Sequence, residues 1–127
     1  MTTRSQKFAH AAHELVAQFR DANADESERK KYGSMAHKLP VLVRTGGLVQ
    51  AVAFVETRGS DPQKTLLADL ASVLEYENVR SFADDTRTHN LQEYMLLTRH
   101  TLDALLWFKR FAESVLNVQA GDESEEG

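Results

Sequence analysis

Four stretches of the chain hold residue types able to do chemistry. His10 and His13 stand three apart and, on a helix, could face one metal ion together. A zinc site takes three or four protein ligands, and no local Cys, Asp or His completes this pair. Glu14 is adjacent to His13, and neighbouring residues diverge on a helix. The simpler reading is two solvent-facing side chains. Asp84 and Asp85 with His89 could hold a divalent ion or move a proton. Aspartates in a polar connection more often cap the helix that follows. Thr45-Gly46-Gly47 suggests a phosphate loop, but Leu48-Val49 follow where Lys-Ser/Thr is needed. The dinucleotide fingerprint would require a preceding strand and a third glycine. No Ser-His-Asp arrangement stands out. Trp107, Phe108 and Phe111 could form a platform for stacking bases, although aromatics at this spacing in a late helix more often belong to a core. We therefore assign no catalytic residue, no metal ligand and no cofactor site, and expect no enzymatic activity.

Charge carries more information. The chain has 127 residues, and its formal net charge is −4. Asp122, Glu123, Glu125 and Glu126 account for all of it, so residues 1–120 balance at 15 cations against 15 acids. Within that body, residues 29–64 hold Arg29, Lys30, Lys31, Lys38, Arg44, Arg58 and Lys64 against only Glu56 and Asp61. A basic segment in a neutral body creates a local positive potential that an anionic partner can use. A merely solvated helix face has the same composition.

The elements that position these residues read as helices almost throughout. Phe8, Ala12, Leu15, Val16 and Phe19 form one stripe of a helix from about Thr3 to Arg20. A polar joint at Asn23–Ser27 leads to a second helix with Tyr32, Met35, Ala36 and Leu39 in an i, i+3, i+4, i+7 series. Lys31 and Lys38, two turns apart, share another face of it. Pro40 is expected to kink or break this helix near Ala36. Gly46-Gly47 stops the chain again, and Leu48 to about Thr57 forms a short helix, apolar nearly all round and so expected in the centre. Its β-branched residues would also suit a strand. Arg58-Gly59 ends it, and Asp61-Pro62 caps the next helix, with Leu66, Leu67, Leu70, Ala71, Val73 and Leu74 on its apolar face. Residues 78–90 read as a polar connection with a cap at Asp84-Asp85-Thr86. Leu91 to Val118 is one long helix, or two broken near Thr98–Thr101. The expected fold is all-α, a compact single-domain bundle of five to six helices over residues 1–120, with 121–127 as a disordered acidic tail.

Composition agrees with a water-soluble domain of this size: 42% of residues are hydrophobic and 27% charged. The absence of cysteine removes disulfides, thiolate metal sites and a cysteine nucleophile, and suits a reducing cytoplasm. No apolar run follows Met1 and none approaches membrane-spanning length, so neither a signal peptide nor a membrane segment is expected.

Two motifs carry a family resemblance. The first is Lys38-Leu39-Pro40-Val41-Leu42-Val43-Arg44-Thr45-Gly46-Gly47-Leu48-Val49-Gln50-Ala51-Val52-Ala53-Phe54. It resembles the signature of the small subunit of the type III-B CRISPR effector, the Cmr complex, where Leu-Pro and aliphatics lead to an Asn-Gly-Leu corner and a Gln-Ala-x-Ala-Phe helix. The second begins fifty residues after Phe54: Ala104-Leu105-Leu106-Trp107-Phe108-Lys109-Arg110-Phe111-Ala112-Glu113. It is similar to the Trp-x-Lys-Arg-Phe-Ala-Glu ending of the same subunits. Gly46 stands where the family has Asn; both tolerate left-handed backbone, so the corner is expected to survive without the contacts an Asn side chain would make.

The resemblance implies a non-catalytic helical protein within an RNA-guided antiviral complex, with guide RNA, target RNA, the backbone and large subunits and neighbouring copies of itself as partners. Cleavage would belong to other subunits. Base pairing supplies specificity in such a complex, so a protein lining the duplex needs only backbone contacts. From the charge partition the candidate RNA-binding residues are Lys30, Lys31, Lys38 and Arg44, with Arg58, Lys109 and Arg110 behind them. The alternative is a helical protein–protein adaptor unrelated to nucleic acid.

Overall fold

The computed structural model describes residues 2–22 and 25–122. Most of the polar joint and the first two tail residues are therefore visible, while Asn23, Ala24 and residues 123–127 lie outside the described part. Six helices follow one another: α1 (Arg4–Ala22), α2 (Glu26–Gly46), α3 (Leu48–Arg58), α4 (Asp61–Val73), α5 (Val79–Thr88) and α6 (Leu91–Ser114). No strand occurs among the described residues, so the β-branched run of α3 is settled as helix by its packing. The fold is all-α, as expected.

Each helix starts where a side chain meets its free amides. Asp25 accepts from the Ser27 amide at 2.9 Å, and Asn78 accepts from the Ser81 amide at 2.9 Å. Asn90 and Glu93 form a reciprocal box at the head of α6. Two expected caps are displaced. Ser60, not Asp61, precedes α4, and its amide donates to Gln63 Oε1 at 2.9 Å. Asp84, Asp85 and Thr86 lie inside α5, which the polar composition of 78–90 concealed. Its buried face, Phe82, Ala83 and Thr86 with Val79 one turn earlier, is the i, i+3, i+4, i+7 signature that would have revealed it.

Pro40 does not break α2, which runs unbroken for 21 residues with Pro40 buried inside it. A proline inside a helix costs roughly 3 kcal/mol. Ending α2 there would release Val43 and misplace Leu48, which are 3% and 1% exposed. Burying two such side chains is worth roughly 3–6 kcal/mol, so packing wins. The turn into α3 falls on Gly47, whose φ of 90° favours glycine. Gly46 is the last residue of the helix, and a Cβ there would meet only the flexible end of Gln50, at 2.9 Å. The left-handed position is thus one residue later than the family comparison suggested, and an Asn at 46 needs no special conformation. Tyr94 Oη closes the corner, accepting from the Val49 amide at 3.1 Å.

α2 is the hub: it packs on α3, α4 and α6, while α1 lies against α4 and α6. Phe19 stacks on Tyr32 at 4.1 Å between centroids, and the Tyr32 hydroxyl donates to Asp69 Oδ2 on α4 at 2.6 Å. α3 is less central than its composition suggested. It buries Leu48, Ala51, Val52 and Val55 but leaves Ala53 and Phe54 exposed. α6 is one helix without a break at Thr98–Thr101, because Thr101 is buried and its hydroxyl donates to the Leu97 carbonyl at 2.8 Å. It ends at Ser114, not Val118. Asn117, at φ 59°, turns the chain back, and the Val118 amide bonds to the Ala112 carbonyl at 2.9 Å. The strap so formed, residues 115–121, lies down on α2, where Val118 fills the space above Gly33. A Cβ on Gly33 would stand 2.7 Å from Val118 Cβ.

These contacts set the response of stability to pH and to substitution. Burial pushes the Asp69 carboxyl from 3.8 to about 6, and the Tyr32 bond offsets only part of this. A carboxyl raised on folding binds protons more tightly in the native state, so stability falls as pH rises from about 4 to about 6 and stays lower above that. Asp69→Asn keeps an acceptor for Tyr32. It is expected to flatten that slope and to stabilise the protein by on the order of 2 kcal/mol at pH 7.5, read by denaturant unfolding across pH. Gly33→Ala, which gains about 1 kcal/mol in an open helix, is expected to lose about 1–2 kcal/mol through the Val118 contact. It should also speed hydrogen exchange at the Val118 amide; a net gain would show that the strap is not seated there.

Candidate nucleic-acid interface

One side of α2 is committed to the core by Tyr32, Met35, Ala36, Leu39 and Val43. The opposite side carries the predicted cations. At 100° per residue, Lys31, Ser34 and Lys38 form one stripe, with Lys31 and Lys38 about 20° apart around the axis and about 10 Å apart along it. Lys30 and Arg44 form another stripe, about 100° away from the first. Lys38, Val41 and Arg44 are i, i+3 steps across the face between them, and all three are exposed. Lys30 reaches Glu26 at 4.0 Å in an exposed pair of small energetic weight. Lys31, Lys38, Arg44, Arg58 and Lys109 make no hydrogen bond or ion pair among the described residues. Their positive charge is uncompensated within the fold.

The other candidates are dispersed. Arg58 ends α3, and Lys109 and Arg110 stand exposed on α6. Arg110 lies over the Trp107 ring at 5.7 Å. The aromatic trio does not make an open platform. Phe108 is fully buried, Trp107 stacks on Phe111 at 5.9 Å and donates to Ser5 Oγ at 3.2 Å, and His13 meets Phe111 edge-on at 5.0 Å. These rings stitch α1 to α6.

Sequence reasoning missed His37. It lies on α2 in line with the stripe of Lys30 and Arg44 and is 8% exposed, covered by the strap. Its Nε2 donates to the Val118 carbonyl at 2.9 Å, so Nε2 carries the proton, and Glu113 Oε2 stands 4.0 Å from the same nitrogen. The strap crosses α2 from Gly33 and His37 toward Ser34 and Lys38, where Ala120 and Gly121 line a small cleft with Ser34, His37 and Lys38. A contact between residues 81 apart leaves no local signal in the sequence. A second basic spot was also missed. Arg4, Lys7 and His100 line a groove between the start of α1 and the middle of α6. Burial, then the charges of Arg4 and Arg99, lower the His100 pKa, against an opposing pull from Asp103.

The clusters with chemical potential have structural partners instead. His10 pairs with Glu14 at 3.4 Å on the surface, while His13 turns toward Phe111. Asp84 pairs with Arg87. His89 lies between Asp85, at 3.6 Å, and Glu93, at 3.3 Å, where it joins the end of α5 to the start of α6. Burial and the Asp85 carboxylate push the Tyr76 hydroxyl up to about 12. No three His, Asp or Glu side chains among the described residues are placed to hold a metal ion. Asp69, with its raised pKa, lines an open groove with Glu28 and Asp61, and its own bond goes to Tyr32, a core side chain.

Beside the basic face runs an apolar one. α6 lies antiparallel to α2, with Glu113 near His37 at one end and Tyr94 at Val49 at the other. Its outer stripe exposes Leu91 (72%), Met95 (62%) and Leu106 (44%). Tyr94, Met95, Thr98, Arg99, Leu102 and Asp103 border a shallow groove of about 430 Å³ there. Among the described residues, Phe54 on α3 is the exposed large apolar side chain outside α2 and α6. No helix among the described residues is long and apolar enough to cross a membrane.

Both motifs noted in the sequence build this scaffold. The first supplies the second half of α2, the Gly47 corner and α3; the second supplies the buried end of α6. Comparison with known proteins agrees. The family model described as CRISPR-associated protein (Cas_Cmr5) matches residues 4–115. The CRISPR system Cmr subunit Cmr5 of Thermus thermophilus is 48% identical over 116 residues, covering 91% of this chain and 98% of that protein. The X-ray crystal structure of a CRISPR-associated Cmr5 family protein from the same organism superposes with a TM-score of 0.82 at 45% identity, covering 91% of this chain and 98% of that one. The chain therefore belongs to the Cas_Cmr5 family and is a Cmr5 small subunit of a CRISPR Cmr system.

Proposed function

We propose that this subunit acts without catalysis of its own, as a cytoplasmic protein that lines the channel where guide RNA pairs with target RNA. The carrying observation is the outward face of α2. Lys31, Lys38 and Arg44 stand there on one rod without an ion-pair partner among the described residues, in a body whose charges sum to zero over residues 1–120. Ammonium and guanidinium groups spaced along a rod suit a polyphosphate chain. They attract it without reading sequence, the form of contact that a guided complex requires. Lys30, Arg58, Lys109 and Arg110 would add to the same field at longer range.

The α6 stripe of Leu91, Met95 and Leu106 supports protein partners: the backbone and large subunits of the complex, and neighbouring copies of this chain. Exposed apolar side chains in a row gain from being covered. An apolar face next to a basic one would let a subunit bind its neighbours while turning phosphate-binding groups toward the RNA. A free-standing adaptor would use the apolar face alone and would have no use for the cations on α2.

Charge reversal tests the assignment. The pair Lys31→Glu and Lys38→Glu is expected to weaken retention of target RNA by an assembled complex equally for all guide sequences. Because each lost phosphate contact removes about one unit of slope from the dependence of log affinity on log salt, the double variant should lose about two. Retention and slope both unchanged across a salt titration would overturn the role of this face.

A further inference from the structure

Two polar side chains beneath the strap have nothing to bond to. Ser34 and His37 are 4% and 8% exposed, and Ser34 Oγ and His37 Nδ1 are buried with no hydrogen-bond partner among the described residues. A buried polar atom left open costs stability unless something outside the chain completes it. Both side chains line the cleft of about 210 Å³ whose other walls are Lys38, Ala120 and Gly121. Around the axis of α2, Ser34 falls between His37 and Lys38. Lys38 is exposed and has no ion-pair partner among the described residues. Asp122 does not supply one, because its carboxylate accepts from the Gln119 amide of the strap at 2.7 Å. Glu113 stands at the other ring nitrogen of His37, 4.0 Å from Nε2.

Hydrogen-bonding capacity decides what fits. The Nε2 proton is spent on the Val118 carbonyl, so Nδ1 of the neutral ring presents a lone pair and needs a donor. Ser34 Oγ can donate and accept. A bare anion would meet the Nδ1 lone pair, and a cation would meet the Lys38 ammonium. The group that suits all three is an O–H carried beside a negative charge. RNA has this arrangement along its length, a ribose 2′-hydroxyl next to a phosphate, and DNA lacks it. We propose that the Ser34–His37 pair binds a ribose 2′-hydroxyl of RNA whose neighbouring phosphate lies on Lys38, so that the α2 face selects RNA over a chain without that hydroxyl. The hydroxyl donates to Nδ1 and accepts from Ser34 Oγ, and no base edge is read. The end of the strap has to yield to admit it. Val118 is packed tightly over Gly33, whereas Gly121 is exposed and a Cβ there would meet nothing within 4 Å. Residues 120–121 can therefore swing aside while Val118 stays seated. This inference rests on α2 being the RNA-facing surface and adds a chemical preference to it.

A short RNA duplex and the same duplex built from 2′-fluoro riboses share their A-form shape and phosphate charge, but only the first carries the O–H donors. The full-length protein at about 0.05 M salt is expected to bind the RNA duplex about threefold to tenfold more tightly than the fluoro duplex. The His37 Nδ1 resonance should move with RNA and stay in place with the fluoro duplex. Ser34→Ala combined with His37→Gln, whose side-chain amide keeps a donor for the Val118 carbonyl, should bring the two affinities together by weakening RNA binding alone. Ser34→Ala by itself removes an unpartnered hydroxyl, so it is expected to reduce the preference for RNA without lowering the thermal midpoint, a pattern that a merely structural serine would not give. Equal binding of the two duplexes by the unmodified protein, or a preference that survives in the double variant, would overturn the proposal and leave the RNA-facing role of α2 standing. Failure of either duplex to bind, with the Nδ1 resonance unmoved, would overturn that role and the proposal with it.

Discussion

The structure depends on α2 remaining one rod across Pro40. Its 21 residues carry the core on one side and cations on the other. A break at Ala36 would separate Lys31 from Arg44 and let the two halves reorient. The helix survives because what lies beyond the proline is worth more than the lost hydrogen bond: Val43, the Gly47 corner and Leu48 are built into the centre of the fold. Tyr94 fastens the corner after this rod, at the Val49 amide of α3, and the strap fastens its middle, at Gly33 and His37. Core packing thereby fixes the spacing of surface charges that make no contact with the core.

How much of this could be read in advance follows from the range of each interaction. The stripe of α1, the apolar face of α4 and the alignment of Lys31 with Lys38 were legible because each depends on spacing within a few turns. The start of α4 was misplaced by one residue because Ser60 and Asp61 are both good caps, and tertiary packing chose between them. α5 escaped notice because seven of its ten residues are not buried and its cap, Asn78, sits in a polar stretch. The α2 break was wrongly expected because local cost was weighed without the burial beyond it. The strap could not be foreseen at all: it needs a left-handed Asn117 and a contact between His37 and Val118 across the whole fold. The candidate cations were found from composition, but that four of the seven share a helix and three scatter is a property of the fold.

The family motifs turn out to be mainly architectural. Leu39, Pro40, Val43, Leu48, Ala51 and Val52 in the first, and Ala104, Leu105, Phe108 and Ala112 in the second, are buried. Their value as a signature comes from packing, which tolerates few alternatives at a close helix–helix contact. Lys38, Arg44, Lys109 and Arg110 stand exposed among these positions, and phosphate attraction needs charge rather than exact geometry. A signature of this kind therefore identifies the subunit without indicating its working face. That face has to be found from electrostatics and exposure.

Central to this account is that α2 faces RNA while the outer stripe of α6 faces protein. Photocrosslinking of the assembled complex, purified with its guide and a target RNA and read by mass spectrometry of the crosslinked peptides, tests this most directly. The account predicts RNA adducts on peptides spanning residues 27–45 and protein crosslinks on peptides spanning residues 91–106. RNA adducts confined to the α3–α5 side of the molecule, with α2 peptides unmodified, would contradict it.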